Sequence, residues 1–322
     1  MRGEKEGEPP SYYDISMLKA PVWTMEVGVY FFLGGLSTGA FMLSRLAARL
    51  GGSRYKNLTR TGTAIAAIAA LPCAPLLISD LGDPKRFHHM LRVWKPSSPM
   101  NLGSWVLTGY SGIVVLAALR EWMQVRRQDA ALTGAAKMAD GAFSQALDTA
   151  GIPLGLLLAG YTGVLLSTTA TPIWSRNPWI GALFSASAVG AGASAVKLAL
   201  EIQNDPMAEV LTPIENAAHI AETVAHIGFL TAAGELAKPL TAGEYKTAYW
   251  AGAVGAGIVL PELLSRLPVP KAHRRWLQIS SGVVALVGCY ALRAAFVAAG
   301  RPSANDPEAA RAASRPKPEE IE

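Results

Sequence analysis

Charge is scarce in this chain. Only 16% of its 322 residues are Asp, Glu, Lys or Arg, against 51% hydrophobic, where globular proteins carry about 25% charged residues. That balance excludes ordinary soluble domains and a disordered chain. Cysteine is nearly absent as well: Cys73 and Cys289 lie far apart in apolar runs, which excludes a disulfide scaffold and a C-x-x-C cluster able to hold an iron–sulfur centre. Histidine numbers five, and without an H-E-x-x-H or clustered ligand set no metal site is expected. The first 21 residues hold Glu4, Glu6, Glu8, Pro9 and Pro10 rather than the basic-then-apolar layout of a cleavable leader, so the first hydrophobic run reads as a retained span. Net charge is +5, yet the basic residues fall in short groups between apolar stretches, where loops at a membrane face belong, so no nucleic-acid partner is expected.

Long apolar runs are what the chain has in quantity. A helix needs about 20 apolar residues to cross the hydrocarbon layer, and eight stretches qualify, at 22–44, 59–80, 101–122, 149–170, 178–200, 214–235, 246–265 and 276–299. The expectation is an all-α membrane protein of eight transmembrane helices in contact with the lipid bilayer. It comprises a polar N-terminal tail over 1–21, a membrane domain over 22–300 and a disordered tail over 301–322. Most loops are short, as in a bundle of antiparallel neighbours. The longest, from Glu121 to Asp148, reads equally as an amphipathic helix along the headgroups or as a solvated loop. Lysine and arginine divide almost evenly between the two sets of loops; the dense first loop, Arg45, Arg49, Arg54, Lys56 and Arg60, favours a cytoplasmic position for itself and both termini outside.

Ionisable groups at membrane depth cost a few kcal/mol or more and are functional candidates by default. In the sixth span Glu215, His219, Glu222 and His226 stand at offsets of 0, 4, 7 and 11, which places them on one narrow helical stripe. Alternating carboxylates and imidazoles meet the needs of a proton relay, since each can accept and donate within reach of the next. Interhelical pairing, for example with Lys197 or Arg293, accounts for the same residues, and Lys197 is spaced for a local pair with Glu201. Haem is not expected: His219 and His226 share one face roughly 10 Å apart along the axis and cannot both ligate one iron. His88, His89 and His273 fall in loops.

Two other regions carry chemistry. Span one holds Glu26 and, one turn on, Tyr30, followed by Gly34, Gly35 and Gly39, which allow a neighbouring helix or a flat ligand to approach the backbone. Span four holds Tyr161 at a depth where its hydroxyl needs a partner. The second loop gathers Asp80, Asp83, Lys85, Arg86, His88 and His89 at the membrane rim and reads as an interfacial docking loop.

Three ordered motifs then carry a resemblance: Tyr30-Phe-Phe-Leu-Gly-Gly-Leu-Ser-Thr-Gly39, Asp80-Leu-Gly-Asp-Pro-Lys-Arg-Phe87 with Ser98-Pro-Met-Asn-Leu-Gly-Ser-Trp105, and Tyr161-Thr-Gly-Val-Leu-Leu166. In these the sequence resembles the NrfD/PsrC family of polysulfide reductase-type membrane subunits, largely over its first half. The resemblance implies two four-helix bundles and a quinone, menaquinone or ubiquinone, bound near one face of the inner membrane. It also implies a partner with [4Fe-4S] clusters docked there and a further catalytic subunit, often a molybdopterin enzyme. By motif position Tyr161, Glu26 and Tyr30 fall at the quinone head; a glutamate and a tyrosine on the first helix depart from the amide and imidazole of related proteins.

Chemistry on its own terms supports a compatible scheme. Reducing a quinone takes two electrons and two protons, so its site needs hydrogen-bond donors at the carbonyls and a route to water. Tyr30 and Tyr161 supply the donors; Glu26 or the Asp80, His88 and His89 group passes protons locally. Two rival readings are a proton channel or transporter built on the sixth span, and a passive membrane anchor.

Overall fold

A computed structural model describes residues 18–126, 134–268 and 270–314, and each hydrophobic stretch is helical in it. In sequence order the helices are α1 (Met25–Gly51), α2 (Lys56–Ala70), α3 (Cys73–Ser79), α4 (His89–Arg92), α5 (Pro99–Arg126), α6 (Gly134–Ser167), α7 (Trp179–Ile202), α8 (Thr212–Ala233), α9 (Lys238–Thr241), α10 (Leu260–Arg266), α11 (Lys271–Asn305) and α12 (Pro307–Ser314). A π-helical segment, Ala248–Val259, runs straight into α10. No strand occurs among the described residues.

Among the described residues, seven helical stretches are long and apolar enough to cross a membrane: Met25–Gly51, Ser53–Ser79, Pro99–Arg126, Met138–Ser167, Trp179–Ile202, Ala248–Arg266 and His273–Asn305. Of the eight expected spans, the sixth falls outside this set. It forms the 22-residue helix α8, but Glu215, His219, Glu222 and His226 dilute its apolarity; all four are buried, with α7 the helix α8 packs on most extensively and Tyr249 and Glu262 of the following segments against the two imidazoles. The second span is broken at Leu71-Pro72, because proline has no N–H to continue the ladder, and resumes as α3. Pro261 acts likewise after the π-helical segment: it cannot donate to the carbonyl of Gly257, four residues back.

Between Glu121 and Asp148, α5 continues to Arg126 and α6 begins at Gly134, so most of that stretch is a pair of helical extensions; residues 127–133 lie outside those described. The extensions are tied by charge. Arg120 pairs with Asp140 at 2.6 Å, and Gln124 donates to the same carboxylate at 2.8 Å. The tail expected to be disordered from Arg301 is helical over 301–305 and 307–314: Asp306 caps α12 by accepting from the N–H groups of Glu308 and Ala309, and Ser303 and Ala310 are buried. Residues 1–17 of the polar N-terminal tail and 315–322 of the C-terminal one lie outside the described residues.

Helix α1 is the hub, packed on α2, α6, α7 and α11. Small residues permit this closeness. A Cβ on Gly39 would run into the backbone of α7 at Ala188 and lie 3.1 Å from the Cα of Gly192, so the two helices cross almost backbone to backbone. One end of the bundle gathers the segment before α1, the loop after α3, the C-terminal end of α6 and the segment before α7. Trp23 stacks on Trp174 with ring centroids 5.5 Å apart there, and the Trp174 indole donates to the Phe296 carbonyl at 2.9 Å.

Candidate functional site

At that end a cavity of about 170 Å³ opens between α1, α3, α5 and α6. Val27, Tyr30 and Phe31 face it because they sit at i, i+3 and i+4 on α1; Leu77 and Ile78 come from α3, Gly103 and Leu107 from α5, and Tyr161 and Leu165 from α6. The wall is apolar with few polar groups, the hydroxyls of Tyr30 and Tyr161 and the carboxylate of Asp80 among them. Tyr30 is 2% exposed, and no hydrogen bond to its hydroxyl occurs among the described residues. A hydroxyl that opens onto an apolar cavity gives a bound polar group one of the few points at which it can be oriented. Tyr161 donates to the carbonyl of Pro99 in the first turn of α5, which aims its ring across the cavity mouth. Its path is cleared by Gly103, where any Cβ would strike the ring. Asp80 accepts from the Thr24 hydroxyl at 2.6 Å, fastening the segment before α1 to the end of α3.

The structure thus brings Tyr30, Tyr161 and Asp80 to one cavity. Glu26 is not among the lining residues: it is exposed on the first turn of α1, about 100° around the axis from Val27, where a carboxylate suits the positive end of the helix. From the docking loop, Phe87 and Met90 turn inward to the wall. Arg86, His88 and His89 stay on the surface, Arg86 paired with Asp83 at 3.0 Å and the two imidazoles edge to face at 4.4 Å.

A second polar locus lies across the molecule. Glu215, His219, Glu222 and His226 are all buried on one stripe of α8. Glu215 is fully engaged, with the Lys197 ammonium at 2.5 Å and the Ser194 hydroxyl at 2.8 Å. Lys197 therefore pairs across helices rather than with Glu201, its neighbour on α7. His219 Nδ1 stands 3.9 Å from Glu262, and His226 Nδ1 shares a 2.9 Å hydrogen bond with the Tyr249 hydroxyl. Deeper in, Glu222 Oε2 and His226 Nε2 are buried with no hydrogen-bond partner among the described residues. The stripe combines an engaged carboxylate at its first turn with unpartnered polar atoms further along.

Sequence reasoning missed Trp23, Phe31 and Gly103 in the cavity wall, and Tyr249 and Glu262 beside the stripe. Phe31 and Gly103 fall within the quoted motifs of the first span and second loop, but nothing in the linear pattern pointed to Trp23, Tyr249 or Glu262, which are neighbours of these sites only through packing. Among the described residues no three His, Cys, Asp or Glu side chains converge as a metal site requires.

A model of the family described as polysulphide reductase, NrfD, matches residues 14–302. The C subunit of the polysulfide reductase of Wolinella succinogenes is 28% identical over 306 residues, covering 89% of this protein and 96% of that subunit. The protein NrfD of Escherichia coli is 25% identical over 319 residues, covering 87% and 95%, and an NrfD homolog of Haemophilus influenzae is 26% identical over 56% of this protein and 60% of its own length.

Proposed function

Because the chain belongs to the NrfD polysulphide reductase family, whose members are membrane subunits of respiratory oxidoreductases, we propose that it is the quinone-interacting subunit of such a complex. It exchanges electrons between membrane quinone or quinol, menaquinone or ubiquinone, and a partner carrying [4Fe-4S] clusters; a molybdopterin or other catalytic subunit acts on the soluble substrate. The seven apolar helices and α8 together make eight spans of the inner membrane in two four-helix bundles, with α8 crossing as a helix shielded by its neighbours.

The observation that carries the reading is the cavity between α1, α3, α5 and α6, apolar except for a few polar groups at its mouth and wall. A lipid-soluble ring fits such a place, entering from the bilayer with its carbonyls toward hydroxyls. Bound quinone would supply the two-electron, two-proton chemistry. The protein's part is to bind, orient and exchange protons. Tyr30 offers its O–H to one carbonyl, and Tyr161, whose proton is held by the Pro99 carbonyl, offers its oxygen as acceptor to a quinol O–H at the mouth. Asp80, which lines the cavity at the end of α3, passes protons toward the aqueous face with the exposed His88 and His89 of the loop that follows, and that loop, bearing Arg86, docks the iron–sulfur partner. Glu26 lies nearer that surface than the ring.

Tyr161→Phe tests the site. It keeps the ring and removes one hydrogen bond worth about 1 kcal/mol, so quinol-coupled electron transfer by the assembled complex should fall about fivefold while assembly is unchanged. Full activity in this variant rejects Tyr161 as a quinone ligand. The stripe on α8 supports proton transfer by the same subunit, running from Glu215 and His219 past Glu222 to His226. Glu222→Gln, which keeps the shape and removes the titratable group, should slow proton-coupled turnover several-fold; an unchanged rate rejects the relay.

A further inference from the structure

Arg293 of α11 is 1% exposed and lies at the junction of three helices. Its Nε donates to the Phe31 carbonyl of α1 at 3.0 Å, and Nη2 to the Phe184 carbonyl of α7 at 3.3 Å. Nη1 donates to the Ser187 hydroxyl of α7 at 3.0 Å and to the Cys289 carbonyl of α11 at 2.9 Å. Among the described residues no carboxylate comes within ion-pair distance of it. A guanidinium keeps its charge in any protein environment, and a buried charge held only by neutral dipoles is unusual.

The missing counter-charge stands close by. Ser194 of α7 meets Glu215 of α8 and Gly190 lies against Ala218, an antiparallel register that brings Glu222 level with Ser187, the residue that accepts from Arg293 Nη1; Glu222 Oε2 is buried with no hydrogen-bond partner among the described residues. Cys289 is the other titratable group against the guanidinium; α1 and α7 contribute carbonyls and a hydroxyl. The position of the guanidinium is set by α1. Gly35 forms its socket, since a Cβ there would lie 2.7 Å from Nη2 and 3.3 Å from Cζ. Phe31, whose carbonyl holds Nε, also lines the cavity. One residue of α1 therefore touches the cavity with its side chain and Arg293 with its backbone.

We propose that Arg293 is a positioning residue that couples occupancy of the cavity on α1 to the protonation of Glu222 on α8. With Phe31 in its present place the guanidinium is drawn toward α1 and α7, and the carboxyl of Glu222 retains its proton. A ligand pressing on Phe31 loosens the Nε bond, the guanidinium leans past Ser187 toward Oε2, and the carboxyl releases its proton along the stripe toward the unpartnered Nε2 of His226 or the imidazole of His219. The arginine stays cationic throughout, and only one proton moves. A ligand does this only by favouring one placement of Phe31 over the other. The inference rests on the cavity being the quinone site.

The test uses the full-length protein in lipid nanodiscs with a hydroxyquinoline N-oxide quinone analogue. Fluorescence titration reads binding, and infrared difference spectroscopy reads the protonated-carboxyl region on ligand addition. A carboxyl difference band is expected in the unaltered protein and absent in Glu222→Gln. It should fall at least fivefold in Arg293→Gln and in Gly35→Ala, which displaces the guanidinium without removing its charge, while all variants bind the analogue within about threefold. If Arg293→Gln does not fold, Gly35→Ala carries the comparison. A Glu222 band of full size in either variant overturns the coupling, as does binding without any Glu222-dependent band. Failure of the analogue to bind the unaltered protein overturns the quinone reading as well.

Discussion

Arg45→Ala is expected to destabilise the protein by about 3–5 kcal/mol, the usual result of removing one partner from a buried ionic network. Arg45 is 1% exposed at the end of the bundle opposite the cavity. Its guanidinium lies 3.4 Å from Glu121 and 3.8 Å from Asp148, and donates to Thr63 at 2.5 Å. Arg49 adds a second contact to Asp148 at 3.4 Å. Without Arg45, Glu121 keeps only Arg120, which it shares with Asp140, and Asp148 keeps only the half-exposed Arg49, so α1 loses its charged tie to α5 and one of its two to α6. Unfolding in mixed detergent micelles, followed by circular dichroism, measures the loss. The double variant Arg45→Ala with Asp148→Asn should recover part of it, because the second change removes a charge the first left uncompensated. Additive losses would show that the network contributes packing alone.

Trp174→Ala should cost a comparable amount, about 3–5 kcal/mol for a fully buried aromatic. Trp174 is 0% exposed, stacks on Trp23 and donates to the Phe296 carbonyl. Gly300 on α11 leaves the space its ring occupies. This one side chain joins the segment before α1 to the last long helix, and Trp23 is itself part of the cavity wall. Two readouts should therefore move together: thermal stability in detergent falls, and affinity for a quinone analogue drops up to about tenfold as Trp23 loses an aromatic contact worth about 0.5–1.5 kcal/mol. Trp174→Phe, which retains a stacking ring, should keep most of both. Lost stability with unchanged affinity would separate the stacked tryptophans from the cavity.

The two networks explain where linear reading succeeded. Glu215, His219, Glu222 and His226 share one helix face, and helical periodicity depends only on spacing along the sequence; their burial is what that spacing requires of groups too polar for lipid. Tyr30 and Tyr161 drew attention as polar aromatics inside apolar runs flanked by glycine, and the structure gives both a wall of the same cavity. Glu26 shows the limit of such reading. It precedes Tyr30 by four residues, yet in the first turn of α1 its side chain stays exposed while the next two residues, Val27 and Gly28, are buried against neighbouring helices.

Partnership across helices was decided by the tertiary structure alone. Lys197 had two acceptors within plausible reach, and only the packing of α7 on α8 selects Glu215 over Glu201. The order of the tail beyond Arg301 turns on a contact with the segment before α7, where Ser303 accepts from the Ile173 amide at 3.0 Å. Gly35 was legible as a small residue but not as the socket of Arg293, which lies 258 positions further along. Composition and periodicity determine that helices form and which faces shun lipid, because both are set by local geometry and by the cost of burying charge. Which helix answers which is settled by close packing, where differences of an ångström in backbone approach choose between partners that the sequence leaves equivalent.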